Sequence, residues 1–286
     1  MQFIGKNMEN NQDLSKFFAN MPNFNTVKIP PAEEFMKFKK DIAILINLDL
    51  TNYKNNQMER RIVSLMNRLG INSLDEYARV LKTDSKKLEE FVNMLTINVS
   101  EFFRNPEKFL ELETTYLPAL LKKFSRIKIW SAGCSIGAEI YSIAMILDKM
   151  GTLDKCELVA TDFDQNILRK AREGIYSKYE IGTIQKGYEK YVQTIDAEKY
   201  QINPRLTSKI RFERQDLLNS KYEKGFHLIL CRNVVIYFTE DAKDRLYKNF
   251  YDSLVPGGIL FIGSTERINN HKAFGYNLKT SFFYEK

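Results

Sequence analysis

Apolar residues recur through the first third of the chain at intervals of three and four, the period of a helix with one buried face. Residues 32–48 carry Phe35, Phe38, Ile42 and Leu45 at this spacing, and residues 57–69 carry Met58, Ile62, Leu65, Met66 and Leu69 ahead of Gly70, a helix stop. Ser73 followed by Glu76 has the form of a capping box for a third helix, and Leu88, Phe91, Val92 and Leu95 stripe a fourth. The pattern predicts four short helices before residue 97. Pro106, suited to a first helical turn, opens a linking helix through Phe124.

From residue 127 onward the period changes. Apolar runs at 127–131, 157–161, 210–213, 226–231 and 259–263 read as buried strands, with helix-period stretches among them. Strands alternating with helices predict a doubly wound parallel sheet. Between Gly174 and Pro204 the alternation lapses into turn-rich sequence, with Tyr176, Tyr179, Tyr188, Tyr191 and Tyr200 set among lysines and glutamates. An inserted small antiparallel β-subdomain at about 174–209 accounts for it. Residues 1–30, rich in Asn and broken by Pro22 and Pro30-Pro31, read as a flexible arm whose Leu14, Phe17 and Phe18 could dock elsewhere. The expected organisation is an arm (1–30), an all-α domain (31–96), a linker segment and helix (97–125) and an α/β domain (126–286).

Composition narrows the class. A chain of 286 residues with 44% hydrophobic and 13% aromatic residues can fill packed cores. No run approaches the roughly 18 apolar residues of a membrane helix, and residues 1–20 are too polar for a secretory signal, so a cytoplasmic protein without membrane insertion is expected. Three cysteines, Cys134, Cys156 and Cys231, are odd in number and lack metal-ligand spacing, and with two histidines no metal site is expected. The net charge of +7 is modest, and its basic residues are not interleaved with aromatics as in a nucleic-acid module. Nucleic acid is therefore not expected as a partner, and a monomer is.

Candidate chemistry gathers at strand ends. The strand at 127–131 runs into Gly133 and Gly137 and then an apolar helix, a layout that places a nucleotide at the carboxyl end of a strand, with glycines admitting close approach. The strand at 157–161 ends in Asp162, where an acid can accept ribose hydroxyls; its alternative is a helix cap, a role Asp164 fits better. Arg232-Asn233 ends the strand at 226–231 and points polar groups into the same crevice.

The ordered set Asn-x-Ser-x-Phe-Phe-Arg at 98–104, Ser-Ala-Gly-Cys-Ser at 131–135, Ala-Thr-Asp at 160–162, Cys-Arg-Asn-Val at 231–234, Ile-Tyr-Phe at 236–238 and Gly-Ser-Thr-Glu at 263–266 resembles the CheR-type chemotaxis receptor methyltransferases. The resemblance spans about residues 35–285. It implies a small all-α domain before a Rossmann-like methyltransferase domain, and transfer of a methyl group from S-adenosylmethionine to glutamate side chains of membrane chemoreceptors. By the same resemblance Asn98, Ser100, Gly133, Glu139 and Asp162 hold the cofactor, Asp216 and Leu217 form the adenine-side pair, Arg232 and Asn233 line the methionyl side, and Tyr237 stands near the transferred methyl. The glycine turn departs from the family pattern, with Ile136, Ala138 and Ile140 where threonine, glutamate and proline are expected. The insert also lacks the Gly-x-Gly loop of relatives that bind a receptor-tail peptide. A non-catalytic S-adenosylmethionine-binding module, or a small-molecule or RNA methyltransferase, is the alternative.

The chemistry makes the scarcity of histidine intelligible. A glutamate is ionised at neutral pH and attacks a sulfonium methyl without a general base, so alignment is what the site must supply. Arg104 is the expected positioner, its fork taking either the substrate carboxylate or the methionyl end; a salt bridge closing the domains is its bland alternative. Arg60, Arg61 and Arg68 flank the apolar stripe of the second helix and form a candidate docking surface for the glutamate-rich receptor helices.

Overall fold

The computed structural model describes residues 30–96 and 100–286; the arm with Leu14, Phe17 and Phe18, and Asn98, lie outside the described residues. The first domain holds α1 (Ala32–Ile46), α2 (Asn55–Arg68), α3 (Leu74–Thr83) and α4 (Ser85–Thr96), as the helical period predicts. Phe35, Phe38, Ile42 and Ile46 of α1 pack with Ile62, Tyr77 and Phe91 into one core. Ile46 rather than Leu45 closes the stripe: eleven residues at 100° each return it to the side of Phe35, whereas Leu45 is 36% exposed. Ser73 caps α3 by accepting the Glu76 N–H at 3.2 Å, and Gly70, at φ +68°, follows the end of α2. Lys39 is buried because its ammonium meets Asn55 Oδ1 at 2.8 Å and Glu59 Oε1 at 3.0 Å, tying α1 to α2.

The linker helix runs unbroken from Pro106 to Lys123 but changes its winding in the middle. α5 (Pro106–Glu111) passes through a π-helical stretch, Leu112–Tyr116, before α6 (Leu117–Lys123). Beyond it the second domain is a seven-stranded sheet of order β6-β2-β1-β7-β8-β10-β9, where β1 is Ile127–Ala132, β2 Cys156–Asp162, β6 Ile210–Arg214, β7 Phe226–Cys231, β8 Leu254–Ile262, β9 Asn277–Thr280 and β10 Phe283–Glu285. Strands β6, β2, β1, β7 and β8 pair in parallel. The five strands expected to form the parallel sheet do so, and β9 and β10, which the apolar runs did not signal, extend one edge, where β10 runs antiparallel to both β8 and β9. Only two residues separate β9 from β10, enough for a hairpin and far too few for a parallel crossover.

Both faces of the sheet are covered. Alternation along β1 sends Ile127 and Ile129 to one core and Trp130 and Ala132 to the other. The first core takes α7 (Ala138–Lys149), buried on all sides from Ala138 to Leu147 apart from Glu139, and α8 (Gln165–Glu173); the second takes α11 (Glu240–Ser253). The insert is a three-stranded antiparallel sheet of order β3-β5-β4, with β3 Ile175–Ser177, β4 Val192–Thr194 and β5 Lys199–Ile202, as its composition predicts. Two short helices accompany it, α9 (Lys178–Ile181) and α10 (Pro204–Thr207), and a third, α12 (His271–Phe274), precedes β9. Among the described residues, no helix is long and apolar enough to cross a membrane.

Candidate cofactor and methyl-transfer site

The carboxyl ends of β1, β2, β6 and β7 open on a cleft bordered on its far side by Leu48, Tyr53, Leu95 and Thr96 of the helical domain. From β1 and α7 come Gly133, Ser135 and Glu139; from β2, Asp162; from the segment after β6, Asp216 and Leu217. The segment after β7 adds Arg232, Asn233 and Tyr237, and the linker adds Ser100 and Arg104. The ends of five separated segments thus converge, and every expected cleft residue among those described except Gly137 lines the same cavity.

Each side chain is held by local structure. Asp162 accepts the N–H groups of Ser135 at 2.8 Å and Asp164 at 3.0 Å, and burial outweighs these donors to push its carboxyl up to about 6. Asp164 takes the capping role, accepting Asn166 N–H at 2.9 Å and Ile167 N–H at 3.3 Å at the start of α8. Asp216 closes a turn with Leu218 N–H at 2.9 Å and Asn219 Nδ2 at 2.7 Å. Glu139 accepts Ser131 Oγ at 2.9 Å and pairs with Arg232 Nη1 at 3.3 Å.

Arg232 is more occupied than a free ligand-binding fork. Its Nη2 donates to Arg104 O at 2.9 Å and Asn105 Oδ1 at 2.7 Å, and its guanidinium lies 4.5 Å from the Phe261 ring centroid. It therefore ties the segment carrying Arg104 to the end of β7. Phe103, Asn105, Ser135 and Asn233, four of the six described non-glycine residues with positive φ, lie in or beside these walls. Such backbone persists only where surroundings over-determine it, and here the determinants are visible: Ser142 Oγ accepts Phe103 N–H at 3.0 Å, and Glu266 accepts Asn233 N–H at 3.0 Å.

The glycine turn works differently from its sequence-based reading. Gly137, at φ +84°, is absent from the cleft lining; a Cβ there would sit 3.1 Å from Tyr141 and 3.2 Å from Ala171, so it serves helix packing. Gly133 does line the cleft, but an added Cβ would meet Val234 at 2.6 Å. Ile136, Ala138 and Ile140, the departures from the family pattern, are all buried in the core. They face away from the cleft.

At the cleft mouth Tyr237 is half-buried, and burial holds its phenol above the ordinary value while Arg61 and Arg104 pull it down. Arg61 is correspondingly not on an open face. It is half-buried beside Tyr53, Lys54 and Tyr237, whereas Arg60 and Arg68 of the same helix are exposed. The three arginines expected to form one surface are split by the helical turn, Arg61 facing the site. The sequence reading also passed over Tyr53, Ser135 and Glu266. Ser135 and Glu266 sit within recognised motifs that could have flagged them; Tyr53, in a short inter-helix loop, had no periodic signal.

An α/β domain with acids at two strand ends, apolar walls at Phe163, Leu217 and Phe238, and the guanidinium groups of Arg104 and Arg232 in the same lining has the layout of a nucleotide-cofactor-binding protein. The cleft suits an adenosyl amino acid: Asp162 can take a diol, the apolar side a flat base, and the Ser135 hydroxyl and Arg232 Nε are buried without a hydrogen-bond partner. Residues 33–96 match the CheR methyltransferase all-alpha domain and residues 98–283 the CheR methyltransferase SAM binding domain. The chain belongs to the CheR methyltransferase family, and its cofactor is S-adenosylmethionine. It is 40% identical over 262 residues to a chemotaxis protein methyltransferase of Listeria monocytogenes, covering 90% of this chain and 99% of that one. A protein of the same description from Listeria innocua is 39% identical over 260 residues, at 90% and 99% coverage, and one from Borreliella burgdorferi 32% over 274 residues, at 91% and 95%.

Proposed function

We propose that the protein methylates glutamate side chains on the cytoplasmic helices of chemoreceptors, forming glutamate methyl esters in chemotaxis. The observation that carries this reading is that Tyr237 lines the cleft with Arg104 and an adjoining pocket with Arg61, and that no histidine is in either lining. Two guanidinium groups and a neutral phenol make a receptor for an anionic acceptor that needs no general base. S-adenosylmethionine, when bound, supplies an electrophilic methyl on a sulfonium that leaves as a neutral thioether.

The residues of the chain bind and align. Arg104 and Arg61 hold the incoming carboxylate, and their charge keeps it ionised as it is desolvated. The Tyr237 hydroxyl donates to the carboxylate oxygen not engaged in transfer. Asp162 takes the ribose hydroxyls, Asp216 and Leu217 the adenine side, and Ser100, Gly133, Glu139, Arg232 and Asn233 the methionyl side, with Asn98 assigned there by family resemblance. Exposed Arg60 and Arg68 steer the glutamate-rich partner toward the mouth. The test is incubation with radiolabelled donor and receptor cytoplasmic fragments, followed by mild alkali. Release of labelled methanol is the expected outcome; label that resists alkali, or no incorporation, would overturn the glutamate assignment.

A further inference from the structure

The loop between α1 and α2 crosses from the helical domain to the cofactor cleft. Asn47, in left-handed backbone at φ 54°, ends α1, and Asp49 caps the 3-10 turn Leu50–Asn52 by accepting the Thr51 N–H at 2.9 Å. Leu50 is fully buried, which pins the turn and delivers Tyr53 in extended backbone. Tyr53 then forms an antiparallel bridge with Phe238. Lys54 N–H donates to Tyr237 O at 2.8 Å, and Thr239 N–H to Asn52 O at 2.9 Å. The rings of Tyr53 and Phe238 meet edge to face at 5.0 Å, and Arg245 Nη2 donates to Asn52 Oδ1 at 2.7 Å. A two-strand seam therefore joins the helical domain to the turn that carries Tyr237.

Tyr53 is anchored on the β7 side of the cleft, through the bridge to Phe238. It lines the cavity with Leu217 and Phe163, which follow β6 and β2. Burial holds its phenol above the ordinary value, and the carboxylates of Asp216 and then Asp162 add to the effect. The ring thus lines the cleft with the two acids, among apolar walls that suit a flat heterocycle, and aromatic faces bind nucleobases by stacking.

We infer that Tyr53 is a lid over the adenosyl half of the cofactor, and that the Asn52–Lys54 seam must open for the nucleoside product to leave. The lid rests on the assignment of the cleft to S-adenosylmethionine. Its consequence is coupling: the backbone bonds that hold the lid also hold Tyr237, so the site is assembled while the nucleoside is covered and released when it is not.

The test uses the full chain and isothermal titration with S-adenosylhomocysteine and with adenosine alone. Tyr53→Phe keeps the ring and should bind both as the parent does. Tyr53→Ala should weaken both by about tenfold, roughly the value of one base–aromatic stack. Lys54→Pro provides a second variant: Lys54 sits at φ −61° and Tyr53 in the β region, so proline fits the backbone and removes the N–H bonded to Tyr237, together with an exposed side chain whose pair with Glu240 is 3.8 Å long. It should speed S-adenosylhomocysteine dissociation in stopped-flow measurements and lower the methyl-transfer rate. Parent-like affinity in Tyr53→Ala, or an unchanged dissociation rate in Lys54→Pro, would overturn the lid. Failure of the parent itself to bind S-adenosylhomocysteine would overturn the cofactor assignment and the lid with it.

Discussion

Replacing Glu266 by glutamine tests whether one buried carboxylate organises the methionyl and acceptor side of the cleft. Glu266 is 6% exposed and accepts three backbone N–H groups: Gly263 at 2.6 Å and Asn233 at 3.0 Å on Oε2, and Val235 at 3.1 Å on Oε1. It thereby joins the end of β8 to the turn after β7, and holds Asn233 at φ +60° beside Val234 and Tyr237. Glutamine keeps the shape but offers one acceptor oxygen. If that oxygen replaces Oε2, two charge-assisted bonds become neutral ones, at about 1 kcal/mol each, and the Val235 N–H faces an amide donor, at a further ~1–3 kcal/mol. Burial already holds the Glu266 carboxyl above its ordinary value, so the uncharged amide recovers part of this, leaving a net loss of roughly 2–3 kcal/mol. The expected result is a melting temperature lower by about 4–12 °C, read by calorimetry. Because the strain at Asn233 is released into the site, the transfer rate at saturating substrate should fall more than the Michaelis constant for receptor rises. A melting point within about 1 °C of the parent, with both kinetic constants unchanged, would refute the reasoning.

Three other outcomes follow from the same geometry. Asp162 sits in the fold at about 6, above its unfolded value, so it is ionised only above that pH; ribose hydroxyls donate to the ionised form, and S-adenosylhomocysteine affinity should fall up to about tenfold per pH unit below it. Titration of Asp162→Asn should show weak binding with no such pH dependence; a parallel pH profile in variant and parent would return Asp162 to a structural role. Arg60→Glu and Arg68→Glu should raise the Michaelis constant for receptor, most at low salt, whereas Arg61→Ala should lower the maximal rate; one shared effect for all three would refute their division. The insert exposes β4 as an edge strand, but Thr194 and Ile195 crowd the loop where tail-binding relatives carry glycines, so a fluorescent receptor-tail pentapeptide should show no saturable binding; competable binding at low micromolar concentration would overturn this.

Much of the architecture was legible because each element carries its own periodic signal. The stripe of α2, the continuous apolar runs of β1 and β7, and the Asp164 cap are local patterns whose physics involves a few neighbouring residues. Placing Leu45 in the stripe is a misreading that the helical angle itself corrects, since Ile46 lies nearer the side of Phe35 and is the residue buried in the core. The antiparallel edge at β9 and β10 was illegible because strand direction is set by connection length and by which partner remains unpaired.

The amino-acid sequence by itself determined the order of helices and strands, the family, and which polar residues gather at strand ends, because those follow from local period and from the rule that parallel strands share one carboxyl edge. Tertiary structure alone decided what each polar group faces. Arg61 turns into the site while Arg60 and Arg68 face solvent, Arg232 is spent on the Arg104 segment, Gly137 packs a helix, and Tyr53 arrives from a domain some 180 residues away in sequence from its partner Phe238. These are long-range contacts between segments whose own sequences carry no record of one another, so they exist only once the chain has closed around its cores.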